Sequence, residues 1–221
     1  MKYIEKSDID LIETLNLVFN LQDKGEKVLK ELEHNYKSRP GDPQAAFAYG
    51  FFNFLIASRE EATVLDNIFI EKILNAYNDV LKLVPDYWIV LMFKSTLLLS
   101  LPEVLRSDDD LAKTFEKMLE IQRKAQRQEA YFIVPYIMYA DYLFSGGKRE
   151  KVFDLLKEAD LVVIKEEIPY KNIAPYFFTP VKTFFKRLIR SNEHEIALKI
   201  RDFGQKYFPE EKVFLQEMDL V

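Results

Sequence analysis

The chain of 221 residues is 48% hydrophobic and 30% charged, which excludes a chain disordered by composition or a fibrous one and leaves room for a sizeable core. Its formal net charge of -5 argues against a general nucleic-acid binder, because neutralising phosphates takes a basic face. With no cysteine, disulfides, thiolate metal sites and thiol catalysis are removed together. The first apolar residues, Ile9, Ile12, Leu15 and Phe19, fall three and four apart and predict a helix. Breaks are expected at Asp23 to Gly25 and at Ser38 to Pro43, bracketing a second helix. "AAFAYGFFNF" and "KILNAYNDVLKLVP" follow as two more, the latter stopped by Pro85. "IVLMFKSTLLL" is next, then a break at Ser107 to Asp110, where the aspartates read as a helix start that an Asp caps and that suits the helix dipole. "YADYLFSGGKREKVFDLLKEAD" reads as two amphipathic segments joined at Ser145-Gly146-Gly147. "DLVVIKEEI" is the best candidate for a strand, yet its first half continues the helical spacing of Phe153 and Leu156. After a break at Ile168 to Pro175, a last pair turns at Ser191-Asn192 and stops at Pro209. About ten helices and an all-α fold are predicted by this spacing.

The segment from Tyr139 to Asp160 tests whether one hairpin recurs. Tyr139-Ala140 places a large residue before a small one, Gly147 sits at the turn, and Val152, Leu156 and Ala159 follow on the second helix. Small Ala140 and Ala159 let two backbones approach, and Gly147 can end the first helix in the left-handed conformation. Tyr49-Gly50 with Ile73, Tyr77, Val80 and Pro85 repeats the frame, as do Asn192, Ala197, Gly204 and Pro209, with Asn as the natural substitute for Gly in such a cap. Leu15, Gly25, Val28, Leu32 and Pro40 fit more loosely, and a further unit rests on Ser95 and Ala125. This pattern resembles the tetratricopeptide repeat (TPR), whose period is 34 residues. Five degenerate hairpins are counted over one domain, 1–221, with 212–221 as a C-terminal cap. Gly50 to Pro85 exceeds the motif's spacing by about 11 residues, three helical turns, an excess that would lengthen a helix without rotating its buried face. The unit around Ser95 carries a similar excess.

The resemblance implies a right-handed α-α superhelix, a solenoid whose concave side is lined by the first helix of each pair and takes a peptide or helical segment of a partner protein. Groove-facing spacing then falls on Asp10, Glu13 and Leu17, followed by Phe47, Phe51 and Phe54, then Met92 and Thr96, then Ile137, Asp141 and Phe144, and last Lys182, Lys186 and Arg190. The three cations, four apart, form one helical stripe able to hold an acidic side chain or a carboxylate. Each set has a plainer reading beside it. An aromatic stripe at helical spacing packs inward in most helices, with Tyr49 and Phe52 as an alternative buried set, and a run of charge is usually a solvated face.

Chemistry is not expected. His34 and His194 lie in polar, acidic stretches, and Glu193-His194-Glu195 are sequence neighbours that diverge around a helix where metal ligands need spacings of three or four. Gly146-Gly147-Lys148 joins helix to helix, unlike a phosphate loop, which follows a strand. Neither a metal nor any other cofactor is expected, and the chain reads as a non-enzymatic adaptor or regulatory subunit. A homo-oligomerising structural subunit is the alternative. An RNA-binding helical repeat is a further one, but a periodic basic and aromatic face is missing from "QRKAQRQ" and "KTFFKRLIR". "MKYIEKSDID" lacks the apolar stretch of a signal peptide, and Lys94 cuts the oily run "YWIVLMF", so a cytoplasmic location and no membrane span are the expectations.

Overall fold

The computed structural model describes residues 6–20, 25–59, 67–125, 130–161 and 174–207. Among these residues there are ten α-helices and no strand, so the chain is all-α there. The expected breaks at Asp23 and Pro209, the strand-like stretch beyond Leu161, most of the link from Ile168 to Pro175 and the cap at 212–221 fall wholly or largely outside the described residues. No described helix is long and apolar enough to cross a membrane.

The backbone divides into two compact units, Met1–Ile121 and Gln122–Val221. The first unit contains α1 (Lys6–Asn20), α2 (Gly25–Ser38), α3 (Pro43–Arg59), α4 (Asn67–Leu83), α5 (Trp88–Ser100) and most of α6 (Asp108–Arg123). Helix α3 begins where the local chemistry dictates. The Asp42 carboxylate accepts from the backbone N–H of Gln44 at 2.9 Å and of Ala45 at 3.2 Å, and Pro43 fills the first helical position, where no N–H is needed. From Ala46 to Leu55 every residue of α3 is buried, as expected for a helix with apolar side chains on all sides. Helices α1, α2, α4 and α5 all pack on it.

Helix α2, by contrast, buries no residue and holds its exposed face with Glu26–Lys30 and Glu33–Lys37 pairs. Its tie to α3 is Tyr36, stacked on Tyr49 with ring centroids 5.0 Å apart. Helix α1 contributes Ile12 and Leu15 to the core and, in its first turn, a fully buried Asp8 whose carboxylate accepts from the Tyr87 hydroxyl. The excess between Gly50 and Pro85 goes partly to helix length, since α3 and α4 are 17 residues each, with 60–66 outside the described residues. The excess in the next pair is accommodated differently. Rather than extending α5, it forms a link with a 3-10 turn at Glu103–Leu105. At the start of α6 all three aspartates lie in the first turn, but Ser107 caps it, its Oγ accepting from the Asp110 N–H at 3.3 Å.

The second unit contains α7 (Ile133–Ser145), α8 (Arg149–Asp160), α9 (Ala174–Arg190) and α10 (His194–Tyr207), preceded by a 3-10 turn at Ala130–Phe132. Its two hairpin turns share one hydrogen-bond pattern. After α7, Lys148 N–H donates to Leu143 O at 2.9 Å and Gly147 N–H to Phe144 O at 3.0 Å, with Gly147 at φ +71°. After α9, Glu193 N–H donates to Leu188 O at 2.9 Å and Asn192 N–H to Ile189 O at 3.1 Å, with Asn192 at φ 58°. Both are Schellman caps, in which one left-handed residue lets the chain satisfy the last carbonyls and reverse. Ala140 and Ala159, the small pair expected between α7 and α8, are fully buried.

A substitution separates the two caps. Gly147→Ala meets no atom within 4 Å, so its cost is backbone strain alone, about 1 kcal/mol in a urea titration. Asn192→Gly keeps the left-handed conformation accessible and is expected to shift stability by only a few tenths of a kcal/mol.

Candidate functional site

The aromatic stripe of α3 lies inside the first unit. Phe47 and Phe51 are fully buried and Phe54 nearly so. All three surround Phe93 of α5, with ring centroids 6.2, 4.9 and 5.6 Å away. Met92 is fully buried beside it, and its carbonyl accepts from the hydroxyls of Ser95 and Thr96 at 2.9 Å each. Thr96 is half-buried. A partner reaches none of Phe47, Phe51, Phe54 and Met92 without displacing the chain's own side chains. Tyr49 and Phe52 are buried as well, so spacing alone could not separate an inner from an outer set on this helix. On α1, Asp10 and Leu17 are exposed and Glu13 is half-buried.

Next to this core, α4 and α5 border an open polar depression of about 410 Å³ lined by Asn75, Asn78, Asp79, Leu81, Lys82 and Lys94. Lys94 has only 6% of its surface exposed. Its ammonium donates to Asn78 Oδ1 at 2.9 Å and to Asp110 Oδ1 at 2.8 Å. A buried ammonium is tolerated only when paired and hydrogen-bonded, so Lys94 ties α4, α5 and the start of α6 together. Asp79 accepts from Tyr36 at 2.6 Å and Lys82 at 2.7 Å, and these two hydrogen bonds, Lys82's the larger effect, hold its carboxyl below the usual range. The depression therefore pairs its charges internally.

In the second unit the candidates divide between two faces. Ile137 and Asp141 of α7 are buried, Phe144 is half-buried, and α9 packs against this helix through Phe184, whose ring centroid is 5.8 Å from that of Phe144. Asp141 is taken by Arg187, whose guanidinium bonds its carboxylate and lies over Phe144 at 5.7 Å and Phe184 at 5.3 Å. Spacing by fours passed over Arg187. The signal was present in "FFKR", an arginine one step beyond the stripe with a phenylalanine three residues before it. Lys182, Lys186 and Arg190 remain together on the other side of α9, the first half-buried and the other two exposed. Val181, Phe184, Phe185 and Leu188 form the buried side.

Two further ion pairs lock this unit. Arg123 grips Glu158 of α8 with both nitrogens, at 2.6 and 2.8 Å, and Tyr136 donates to the same carboxylate at 3.0 Å. The Arg123 hydrogen bonds hold the Glu158 carboxyl down, while burial pushes the Tyr136 phenol up. Arg149 binds Glu193 and stands 4.0 Å from Glu195. Among the described residues no three His, Asp or Glu side chains gather as a metal site. His34 is exposed, and His194 is half-buried with an enclosed Nδ1 although its sequence neighbours are polar and acidic. With this geometry in view, no protein-family model matches the chain, and no curated protein or solved structure matches it.

The tyrosines give a pH prediction. Burial, then the hydrogen bond to Asp79, pushes Tyr36 up to about 12, and burial raises Tyr49 and, much further, Tyr77. A phenol whose folded value exceeds its unfolded value of about 10 contributes stability that is complete below pH 10. That stability disappears as pH rises through the folded value. Urea midpoints should therefore hold up to about pH 10 and fall between 10 and 12, and Tyr36→Phe should flatten the fall. An unchanged midpoint across that window would contradict the assignment.

Proposed function

We propose that the chain is a TPR-like helical repeat protein, an adaptor or regulatory subunit that binds a segment of another protein and performs no chemistry. The observation that supports this is the order of helix packing within each unit. In the first, α1 packs on α2 and α3, and α3 on α4 and α5; in the second, α7 packs on α8 and α9, and α9 on α10. The first helix of a pair thus meets its own partner and the first helix of the next pair, as stacked hairpins of a solenoid require. The repeated Schellman caps at Gly147 and Asn192 support the same repeat unit. On this reading the right-handed superhelix presents the first helices of its pairs on the concave side, and the cell compartment is the cytoplasm.

The test is capture from native lysate at moderate salt, identified by mass spectrometry, with Lys186→Glu alongside. Lys186 is exposed, so this variant should stay folded. One partner held by the native protein and lost by the variant is the expected result. Nothing captured, together with a molecular mass that rises with concentration, would overturn the adaptor reading in favour of self-assembly.

A further inference from the structure

Helix α2 (Gly25–Ser38) lies in the chain between two well-anchored helices and is itself hardly anchored. Before it, α1 sends Ile12, Leu15 and a fully buried Asp8 into the core and sets Phe19 edge-on against Phe52 of α3, with ring centroids 5.8 Å apart. After it, α3 is capped by Asp42 and buried from Ala46 to Leu55. None of the 14 residues of α2 is buried. Val28, Leu29 and Leu32 are half-buried, and the pairs Glu26–Lys30 and Glu33–Lys37 lie within the helix. Among the described residues of α2, Tyr36 alone makes a hydrogen bond or a ring contact to another helix. It makes both, stacking on Tyr49 of α3 at 5.0 Å and donating its hydroxyl to Asp79 of α4 at 2.6 Å.

We infer that α2 is a hinged flap with Tyr36 as its latch, which opens away from α3 and α4 while the rest of the first unit stays folded. A helix of this length is marginal in water by itself, so α2 keeps its shape only while docked. Segments with few buried apolar contacts open locally before the whole structure unfolds. The helices on either side hold by their own buried residues and do not need α2 to stay in place. Opening uncovers Tyr49, which is only 4% exposed with α2 docked, and leaves Asp79 with Lys82 as its partner. The molecule then has two forms that differ by one helix, and a ligand that prefers the open one raises its population. Neither the latch nor the opening depends on what the chain binds.

The experiment is native-state hydrogen exchange by mass spectrometry on the full chain, in urea kept below the unfolding midpoint, for the native protein, Tyr36→Phe and Phe51→Leu. Amides of α2 should be at least about tenfold less protected than the slowest amides of α3, and nearly insensitive to urea, because a one-helix opening exposes little new surface. Tyr36→Phe keeps the stacked ring and removes the hydrogen bond to a carboxylate, so α2 protection should fall about tenfold. That contact is lost in every opening that releases α2, so the slowest α3 amides should fall by the same factor. Phe51→Leu separates the two events. It weakens the core beneath α3 and leaves the flap's own equilibrium alone, so α3 protection should fall while α2 protection holds. Amides of α2 that exchange at the rate and urea dependence of α3 would overturn the inference, as would a Phe51→Leu that lowers both together. Unchanged α2 protection in Tyr36→Phe would overturn the latch.

Discussion

Phe51→Ala is expected to destabilise the first unit by about 3–5 kcal/mol, the cost of emptying a phenylalanine site that the surrounding core only partly refills. The ring is fully buried and has Phe93 4.9 Å, Phe47 5.9 Å and Phe54 6.3 Å away, centroid to centroid. Those neighbours are held on two helices, α3 and α5, so little can collapse into the space. Urea unfolding read by tyrosine fluorescence and circular dichroism should show the midpoint falling well below that of the native chain. Phe51→Leu should recover part of the loss, because it retains most of the apolar volume. A loss below about 1 kcal/mol for Phe51→Ala would show that the ring is not packed as described. The consequence for function is direct. A partner lost by Phe51→Ala would report a damaged core, and only substitutions on an exposed face, such as Lys186, can report a contact.

That distinction marks where the sequence was legible and where it was not. The breaks at Ser38 to Pro43, Pro85, Ser107 and Ser145 to Gly147 were readable because capping and left-handed turns are local chemistry, set by a few neighbouring side chains. Asn192 was readable as a Gly substitute for the same reason, and it takes a left-handed φ of 58°. The face of α3 was not readable. A period of 3.6 identifies an inner side only where the helix also has a polar one, and "AAFAYGFFNF" offers no such contrast. On α9 the contrast exists, with Val181, Phe184, Phe185 and Leu188 buried opposite Lys186 and Arg190, and there the spacing placed the exposed stripe. Asp8 with Tyr87 and Lys94 with Asp110 were illegible for a different reason. The first joins α1 to Tyr87, the residue just before α5 and 79 positions away, the second joins α5 to α6, and no local pattern announces a buried charge that a distant group will satisfy.

The hairpin frame turns on a large residue followed by a small one, and Gly50 shows why the small one is needed. A Cβ built there would stand 2.8 Å from Tyr77 Cε1, 3.0 Å from Cδ1 and 3.1 Å from the Ala76 Cβ. Carbon atoms in contact prefer about 3.5–4.0 Å, so α3 and α4 approach across this residue more closely than any side chain allows. Two effects oppose each other in Gly50→Ala. Alanine favours the helix by about 1 kcal/mol over glycine, while overpacking a filled core costs about 1–3 kcal/mol. Relief by moving Tyr77 is blocked, because its ring is fully buried with Phe47 6.4 Å away, and the Ala76 Cβ moves only with its backbone. Overpacking should therefore win, by about 1 kcal/mol for Gly50→Ala and about 3 kcal/mol for Gly50→Val, whose branched side chain adds bulk with no propensity gain. Gly41→Ala, with no atom within 4 Å of the added carbon, supplies the control and should stay within about 0.5 kcal/mol of the native chain. Tyr77→Leu in the Gly50→Ala background should cost less than Tyr77→Leu alone, by about 1 kcal/mol, because the shorter side chain vacates the space that the new methyl needs. Additive costs in that double-mutant cycle would mean that the ring and the glycine are not in contact.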